Sequence, residues 1–197
     1  MKNALIIFVR NLVLGKVKTR LAADIGNEKA LQVYEHLLEH THSITKNLAV
    51  TKLVYYADDI NEDDLWNGFE KRLQQGNDLG ERMQDTFKHL FNEGYSKVCI
   101  IGSDCYELNN NIIETAFEKL DNADVVIGPV MDGGYYLLGC NKLIPEFFIN
   151  KAWSTETVFA DTLKDASALK LSIQQLPVLN DIDDEKDLCN SALAFFV

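Results

Sequence analysis

Val98-Cys99-Ile100-Ile101-Gly102-Ser103-Asp104 joins an apolar run directly to a carboxylate, and the architecture of the chain follows from it. Its four apolar residues stop abruptly at a glycine, and a carboxylate stands two positions later. A short apolar run bounded by turn residues reads as a strand buried on both faces. Lys97 precedes the run, and residues 109–120 follow with helical spacing, so Asp104 falls on a strand-to-helix loop. Open α/β sheets place ligand chemistry in such loops, at the carboxyl ends of their strands.

Outward from this segment, short apolar runs alternate with amphipathic stretches. Residues 4–9 predict a buried first strand, followed by a loop containing Gly15. A long helix is expected over 27–48, its apolar stripe running through Ala30, Val33, Tyr34, Leu37, Ile44 and Leu48. Residues 52–57 predict a second strand, 58–64 an acidic turn and 72–75 a short third strand. Asp78 is placed to cap a helix ending near residue 91, with Leu79, Met83, Thr86, Phe87 and Leu90 on one face. Past Asp104, the pattern gives a strand over 124–127 broken at Gly128-Pro129. A turn at Asp132-Gly133-Gly134 then leads into a strand over 135–139. Helices over 142–149 and 155–163, a late strand over 170–176 and a terminal helix from Asp184 complete the pattern. Strand and helix alternate almost throughout. The expectation is an α/β protein: a single domain over residues 1–197, three layers (α/β/α), built on a mainly parallel sheet.

A net charge of −11 over 197 residues excludes broad attraction to nucleic acid or to an anionic membrane. Any phosphate must be held by a local cluster of cations working against the overall field. No apolar run reaches the length of a membrane span. The run over 4–9, cut off by Arg10, is too short for a signal-peptide core. Cys99, Cys105, Cys140 and Cys189 have no paired short spacing, and two of them lie in or beside apolar strands. Reduced thiols in a cytoplasmic protein are expected.

Several segments carry candidate chemistry. Gly15-Lys16-Val17-Lys18-Thr19-Arg20 follows the first strand. On an extended loop, alternate residues face the same way, so Lys16, Lys18 and Arg20 converge on one phosphate group. Arginine offers a fork and lysine a mobile point charge, and Gly15 lets the backbone approach. This spacing is neither a Walker loop nor a dinucleotide-binding glycine pattern. The other reading is a solvated basic loop. Asp104 and the Asp181/Asp183 pair are candidates for a hard cation such as Mg²⁺, which binds through one or two carboxylates and keeps room for phosphate oxygens. Helix capping competes with that reading for the segment 181–184, and accounts for Asp184. Gln75-Gly76-Asn77-Asp78-Leu79-Gly80 offers amide and acid groups able to read a base edge, or a plain strand-to-helix connection. Asp132-Gly133-Gly134-Tyr135-Tyr136 permits close backbone approach beside aromatic walls, with Trp153-Ser154-Thr155 able to cover the same pocket. The alternative makes Ser154 a helix cap and Trp153 ordinary core. His36-Leu37-Leu38-Glu39-His40 fits the inverted zincin pattern, but a zinc site needs a third ligand that no later segment suggests. A solvated helix flank is expected there.

Taken in order, five blocks resemble the nucleotide-diphospho-sugar transferase superfamily of GT-A fold. They are residues 15–21, 75–83, 101–105, 128–139 and 181–183. The chain looks closest to a bacterial family of small glycosyltransferase-like proteins, some associated with arsenosugar biosynthesis. The plan is also similar to that of guanylyltransferases for phospholactate and molybdopterin cofactors, and of sugar-nucleotide pyrophosphorylases. The resemblance implies a nucleotide or nucleotide-sugar donor, a small-molecule acceptor and Mg²⁺ or Mn²⁺, and is compatible with a homo-oligomer. It implies that Lys18 and Arg20 hold donor phosphates beside Gly15, Lys16 and Ser103, and that Gln75, Asp78 and Gly80 lie near the base. Asp104 becomes the first metal ligand and Asp183 the second. Asp132, Gly133, Gly134, Tyr135 and Trp153 fall on the sugar or acceptor side. The chain departs from the family pattern twice: Arg10-Asn11-Leu12-Val13-Leu14 lacks the usual proline, and Tyr106 stands where a proline usually follows Asp104-Cys105. Expected activities are glycosyl transfer from a nucleotide sugar or, by the same machinery, nucleotidyl transfer with release of pyrophosphate. A nucleotide-binding protein without catalysis is the remaining reading.

Overall fold

The computed structural model describes residues 2–197. A seven-stranded sheet is formed by β1 (Asn3–Val9), β2 (Thr51–Tyr56), β3 (Glu70–Leu73), β4 (Lys97–Ile101), β5 (Val125–Pro129), β6 (Tyr135–Cys140) and β7 (Ile173–Gln175), in the order β3-β2-β1-β4-β6-β5-β7. Every neighbouring pair is parallel except the two made by β6, which runs antiparallel to both β4 and β5. The mainly parallel α/β architecture expected from the alternating pattern is therefore present, with one reversed strand made by the turn at 130–134.

The layers follow from strand period. Side chains alternate across a sheet, so a continuous apolar strand feeds both faces. Leu5, Ile7 and Val9 of β1, with Cys99 and Ile101 of β4, pack on one face beneath α1 (Thr19–Ile25), α2 (Asn27–Thr45), α4 (Asn110–Lys119) and α6 (Glu185–Cys189). Ala4 and Ile6, with Val98 and Ile100, pack on the other beneath α3 (Leu79–Asn92) and α5 (Val158–Ala168). Met83, Phe87 and Leu90 are the buried side of α3, as the spacing predicts, and the Asp78 carboxylate caps that helix by accepting from the Glu81 amide.

Five local expectations need correction. Residues 15–20 are not an extended loop: Lys18 takes a left-handed conformation (φ 47°, ψ 47°) and α1 begins at Thr19. Buried Val17 and Leu21 pull the two ends of this turn into the core. Gly128-Pro129 does not break its strand; β5 runs through both residues with a register shift against β6. Residues 142–149 form only a short 3₁₀ turn, Pro145–Phe147, because Pro145 lacks the amide a longer helix needs. The next helix starts at Val158 rather than 155, leaving Ser154 with positive φ and no capping role. The late strand shortens to Ile173–Gln175. No helix among the described residues is long and apolar enough to cross a membrane.

Candidate active site

The order of the strands locates the site. The chain leaves β1 toward β2 on one side, while β4 lies on the other, so a crevice opens at the carboxyl ends of β1 and β4. The loop after β1 delivers Lys18, and the loop after β4 delivers Asp104. A third segment reaches the same edge from the far end of the chain. The Leu179 amide donates to the Pro129 carbonyl (3.1 Å), and the Ile182 amide donates to the Asp104 carbonyl (3.1 Å), which brings Asp181 and Asp183 to the crevice.

There the charges meet. Lys18 Nζ lies 2.9 Å from Asp104 Oδ1 and 3.0 Å from Asp183 Oδ1, while Arg20 Nη2 donates to Asp183 Oδ2 at 2.7 Å. The Lys18 side chain is only 5% exposed; that of Arg20 is 72% exposed. Burial alone would lower the Lys18 pKa, but Asp104 and Asp183 outweigh it and hold the ammonium above the ordinary lysine range. Burial likewise opposes ionisation of Asp183, and the Lys18 and Arg20 charges reverse this to keep its carboxyl below the usual range. Lys16 is exposed and does not join Lys18 and Arg20 on the carboxylates; the left-handed turn at Lys18 interrupts the alternation that would align the three cations.

Asp181 behaves differently. Its Oδ1 is buried with no hydrogen-bond partner. Burial, then the neighbouring Asp104 charge, push its pKa up to about 7, against the pull of Lys18. Asp132, Asn180, Asp181, Asp183 and Asp187 line one small cavity at this edge. Asp184 caps α6 in a reciprocal capping box with Asp187, which settles the role of the last acid in the segment.

Other expected site residues are engaged in packing. Ser103 is buried, its Oγ 3.2 Å from the Tyr34 hydroxyl, so it faces inward rather than toward a nucleotide. Gly80 is closed off: a Cβ there would collide with the Trp153 indole and the Phe148 carbonyl. Its missing side chain serves the seating of Trp153 on α3, leaving no surface for a base. Gln75 is exposed at the crevice end of β3, while Asp78 is committed to its cap. Gly133 (φ 90°) lies against the Glu156 backbone, and Asp132 Oδ1 accepts from the Gly134 amide at 2.9 Å. The Tyr135 hydroxyl is buried without a partner, and burial raises its pKa well above the ordinary phenol. The two histidines of the zincin-like pattern go to separate partners. His40 Nε2 is 2.8 Å from the Leu108 carbonyl, and His36 Nδ1 is 3.1 Å from that of Gln32.

Two contributors carried no functional signal in the sequence. Tyr34, read as one member of an apolar stripe, accepts from the Arg10 amide at 2.8 Å while touching Ser103, and so ties the loop after β1 to the loop after β4. Burial, then the Asp104 charge, push its pKa up to about 12. Gln74 donates from Nε2 to the carbonyls of Val9 (3.2 Å) and Tyr55 (2.9 Å), fixing the ends of β1 and β2.

The donor set suits a hard divalent cation. Asp104, Asp181 and Asp183 present carboxylate oxygens at one edge, and one of those oxygens is buried without a partner. Among the described residues, no three acidic, histidine or cysteine side chains close into a ready-made cage. Mg²⁺ asks for less, taking one or two carboxylates and completing its shell with water and substrate phosphate.

The model of a family described as "uncharacterized protein conserved in bacteria" (DUF2064) matches residues 39–155, more than half of the chain. The chain belongs to that family. The DUF2064 match includes Asp104, the turn at Asp132–Tyr135 and Trp153, but neither Lys18 and Arg20 nor Asp183. Over its whole length the chain is similar to the solved structure of a proposed nucleotide-diphospho-sugar transferase from Desulfovibrio desulfuricans, at 29% identity and a TM-score of 0.89, covering 100% of this chain and 94% of that one. A cytidylyltransferase from Leptospira borgpetersenii has the same fold at 16% identity and a TM-score of 0.61, with 100% and 88% covered. So has a 4-diphosphocytidyl-2C-methyl-D-erythritol synthase from Anaerococcus prevotii, at 11% identity and a TM-score of 0.62, with 98% and 95% covered. No curated protein sequence matches the chain. This DUF2064 chain thus has the nucleotide-diphospho-sugar transferase fold expected from its five ordered blocks.

Proposed function

We propose that the protein is a metal-dependent transferase that takes a nucleotide-sugar donor and passes the sugar to a small-molecule acceptor in the cytoplasm. One observation carries this reading. Two cations from the loop after β1 meet two carboxylates, one from the loop after β4 and one from the far end of the chain, at the carboxyl ends of β1 and β4, with Lys18 Nζ 2.9 and 3.0 Å from Asp104 and Asp183.

In this reading Lys18 and Arg20 bind the donor diphosphate, and Asp104 and Asp183 hold Mg²⁺ or Mn²⁺. When bound, the ion neutralises charge on the diphosphate oxygens. Gln75, exposed near the β3 end of the crevice, faces the base. Asp132 and the Gly134 backbone form the acceptor side, next to the cavity that Asp181 lines. The acceptor hydroxyl oxygen bonds to the sugar carbon as that carbon's bond to the diphosphate oxygen breaks. The electron pair stays on the diphosphate, and the acceptor proton leaves to water at the open rim. Lys18 and Arg20 act where negative charge grows, on the departing diphosphate, and that is where fixed cations lower a barrier.

The loop after β1, which sets two cations where a triphosphate would approach, favours a second reading: attack by an acceptor phosphate on the α-phosphorus, releasing pyrophosphate. Phosphorus NMR of mixtures of nucleotide sugars or nucleoside triphosphates with candidate acceptors and Mg²⁺ separates the two. Release of a nucleoside diphosphate from a nucleotide sugar supports glycosyl transfer. Pyrophosphate from a triphosphate replaces it with nucleotidyl transfer. Nucleotide binding that persists unchanged in Asp104→Ala without turnover of either substrate refutes both.

A further inference from the structure

We propose that Lys18 is the resident cation of the acidic site and acts as its gate: a divalent ion enters only when donor phosphate draws the Lys18 ammonium away. This deepens the proposed function and rests on its assignment of Asp104 and Asp183 to the metal.

The geometry is specific. Lys18 Nζ bridges one oxygen of each carboxylate, and the second oxygen of Asp183 is taken by Arg20 at 2.7 Å. Both oxygens of Asp183 are therefore engaged by protein cations. The Lys18 side chain is 5% exposed, and Val17 and Leu21 beside it are buried, so the backbone around it is anchored. The residue itself is held in the left-handed region, which disfavours side chains with a Cβ, and the N-cap position it occupies makes no side-chain bond to its own helix. The surrounding packing and the two ion pairs must maintain that conformation. An arginine or lysine paired at the surface would show none of these constraints.

The consequence is a binding order. A free divalent ion approaching Asp104 and Asp183 meets an ammonium already between them. Displacing it would leave a buried positive charge without a partner next to a dication, and an unpaired buried charge is strongly unfavourable. Magnesium gains little by the exchange, since it also gives up water reluctantly. Donor phosphate changes the balance. Its oxygens offer Lys18 and Arg20 new partners on the solvent side, and Asp104 and Asp183, released from the ammonium, would then be free to hold the ion. Metal and nucleotide then raise each other's affinity by the same factor, as any pair of coupled ligands must.

The test uses Mn²⁺ alone as the probe, followed by electron paramagnetic resonance and by calorimetry, on the full chain. Wild type is compared with Lys18→Met, with Lys18→Gln and with the double variant Lys18→Met/Asp104→Asn, each checked for cooperative melting. Two neutral substitutions are used so that loss of folding in one leaves the other to report. The expected result is weak Mn²⁺ binding by wild type and roughly tenfold or greater tightening in either Lys18 variant, within the usual range of coupling. The tightening should be lost in the double variant. Equal Mn²⁺ affinity in wild type and the single variants overturns the gate while leaving the metal assignment standing. No Mn²⁺ binding by any form, and none by wild type with a nucleoside triphosphate panel, overturns the assignment and the gate together.

Discussion

Two charged clusters in this molecule look alike on a list of ion pairs and differ in everything that matters for chemistry. At the β3 edge, Arg72 donates bidentately to Glu93 (2.8 and 2.9 Å) and also pairs with Glu70. These partners lie 21 and 2 residues away in sequence, and the carboxylates are 39% and 45% exposed. The Glu93 pKa is held below its usual value, first by the Arg72 hydrogen bond, and the cluster is locally satisfied. At the crevice, Lys18 and Asp183 are 165 residues apart, the lysine is buried, and the adjacent Asp181 oxygen has no partner at all. Exposed local ion pairs add little and need little support. A buried cluster assembled from distant segments, with one member unsatisfied, is maintained by the whole fold and has capacity left for a ligand. That difference is the ground on which we propose the crevice as the functional region.

The buried cluster should show the largest mutational effect. Lys18→Met should reduce transferase turnover by roughly 10²–10³-fold, the usual effect of removing one pre-positioned electrostatic stabiliser. Product formation measured under saturating donor would check this. A variant retaining more than half of wild-type turnover would make the buried cluster no more functional than the Arg72 one.

Asp181 offers a sharper test, through pH. Its folded pKa, near 7, lies above the ordinary carboxyl value of 3.8. The native state therefore holds a proton that the unfolded chain releases, and this group's contribution to stability is fully present below about pH 4 and lost as pH rises through about 7. In chelator-treated protein, Asp181→Asn should remove that loss and be more stable than wild type at pH 8 by up to about 4 kcal/mol, with a smaller difference at pH 5. Asp183, whose pKa is depressed, contributes in the opposite sense: its stabilisation is present above the unfolded value and falls away in acid. Urea melts at a series of pH values would read both, and a pH-independent effect of Asp181→Asn would contradict the buried, unpartnered carboxyl.

The smallest effect is expected at the other cluster. Glu93→Gln should lower stability by about 0.2–1 kcal/mol, as for other exposed pairs, and leave nucleotide and Mn²⁺ binding unchanged. Altered binding would mean that the β3 edge communicates with the crevice.

The architecture is legible in local sequence pattern alone. The continuous apolar runs of β1 and β4 force a sheet covered on both faces, and the abrupt stop before Asp104 puts that carboxylate on a strand-end loop. Asp78 and Asp184 declare themselves as helix caps because capping is a local interaction. What remained hidden depends on non-local contact. Only the tertiary structure turns Lys18 inward between Asp104 and Asp183 and leaves Lys16 in solvent, since the turn is set by burial of Val17 and Leu21. Only the fold assigns Gly80 and Trp153 to each other, directs Ser103 to Tyr34, and strips Asp181 of a partner. Local pattern fixes which residues lie on strands, helices and loops; whether a side chain meets water, a counter-charge or nothing is decided by segments up to 165 residues away.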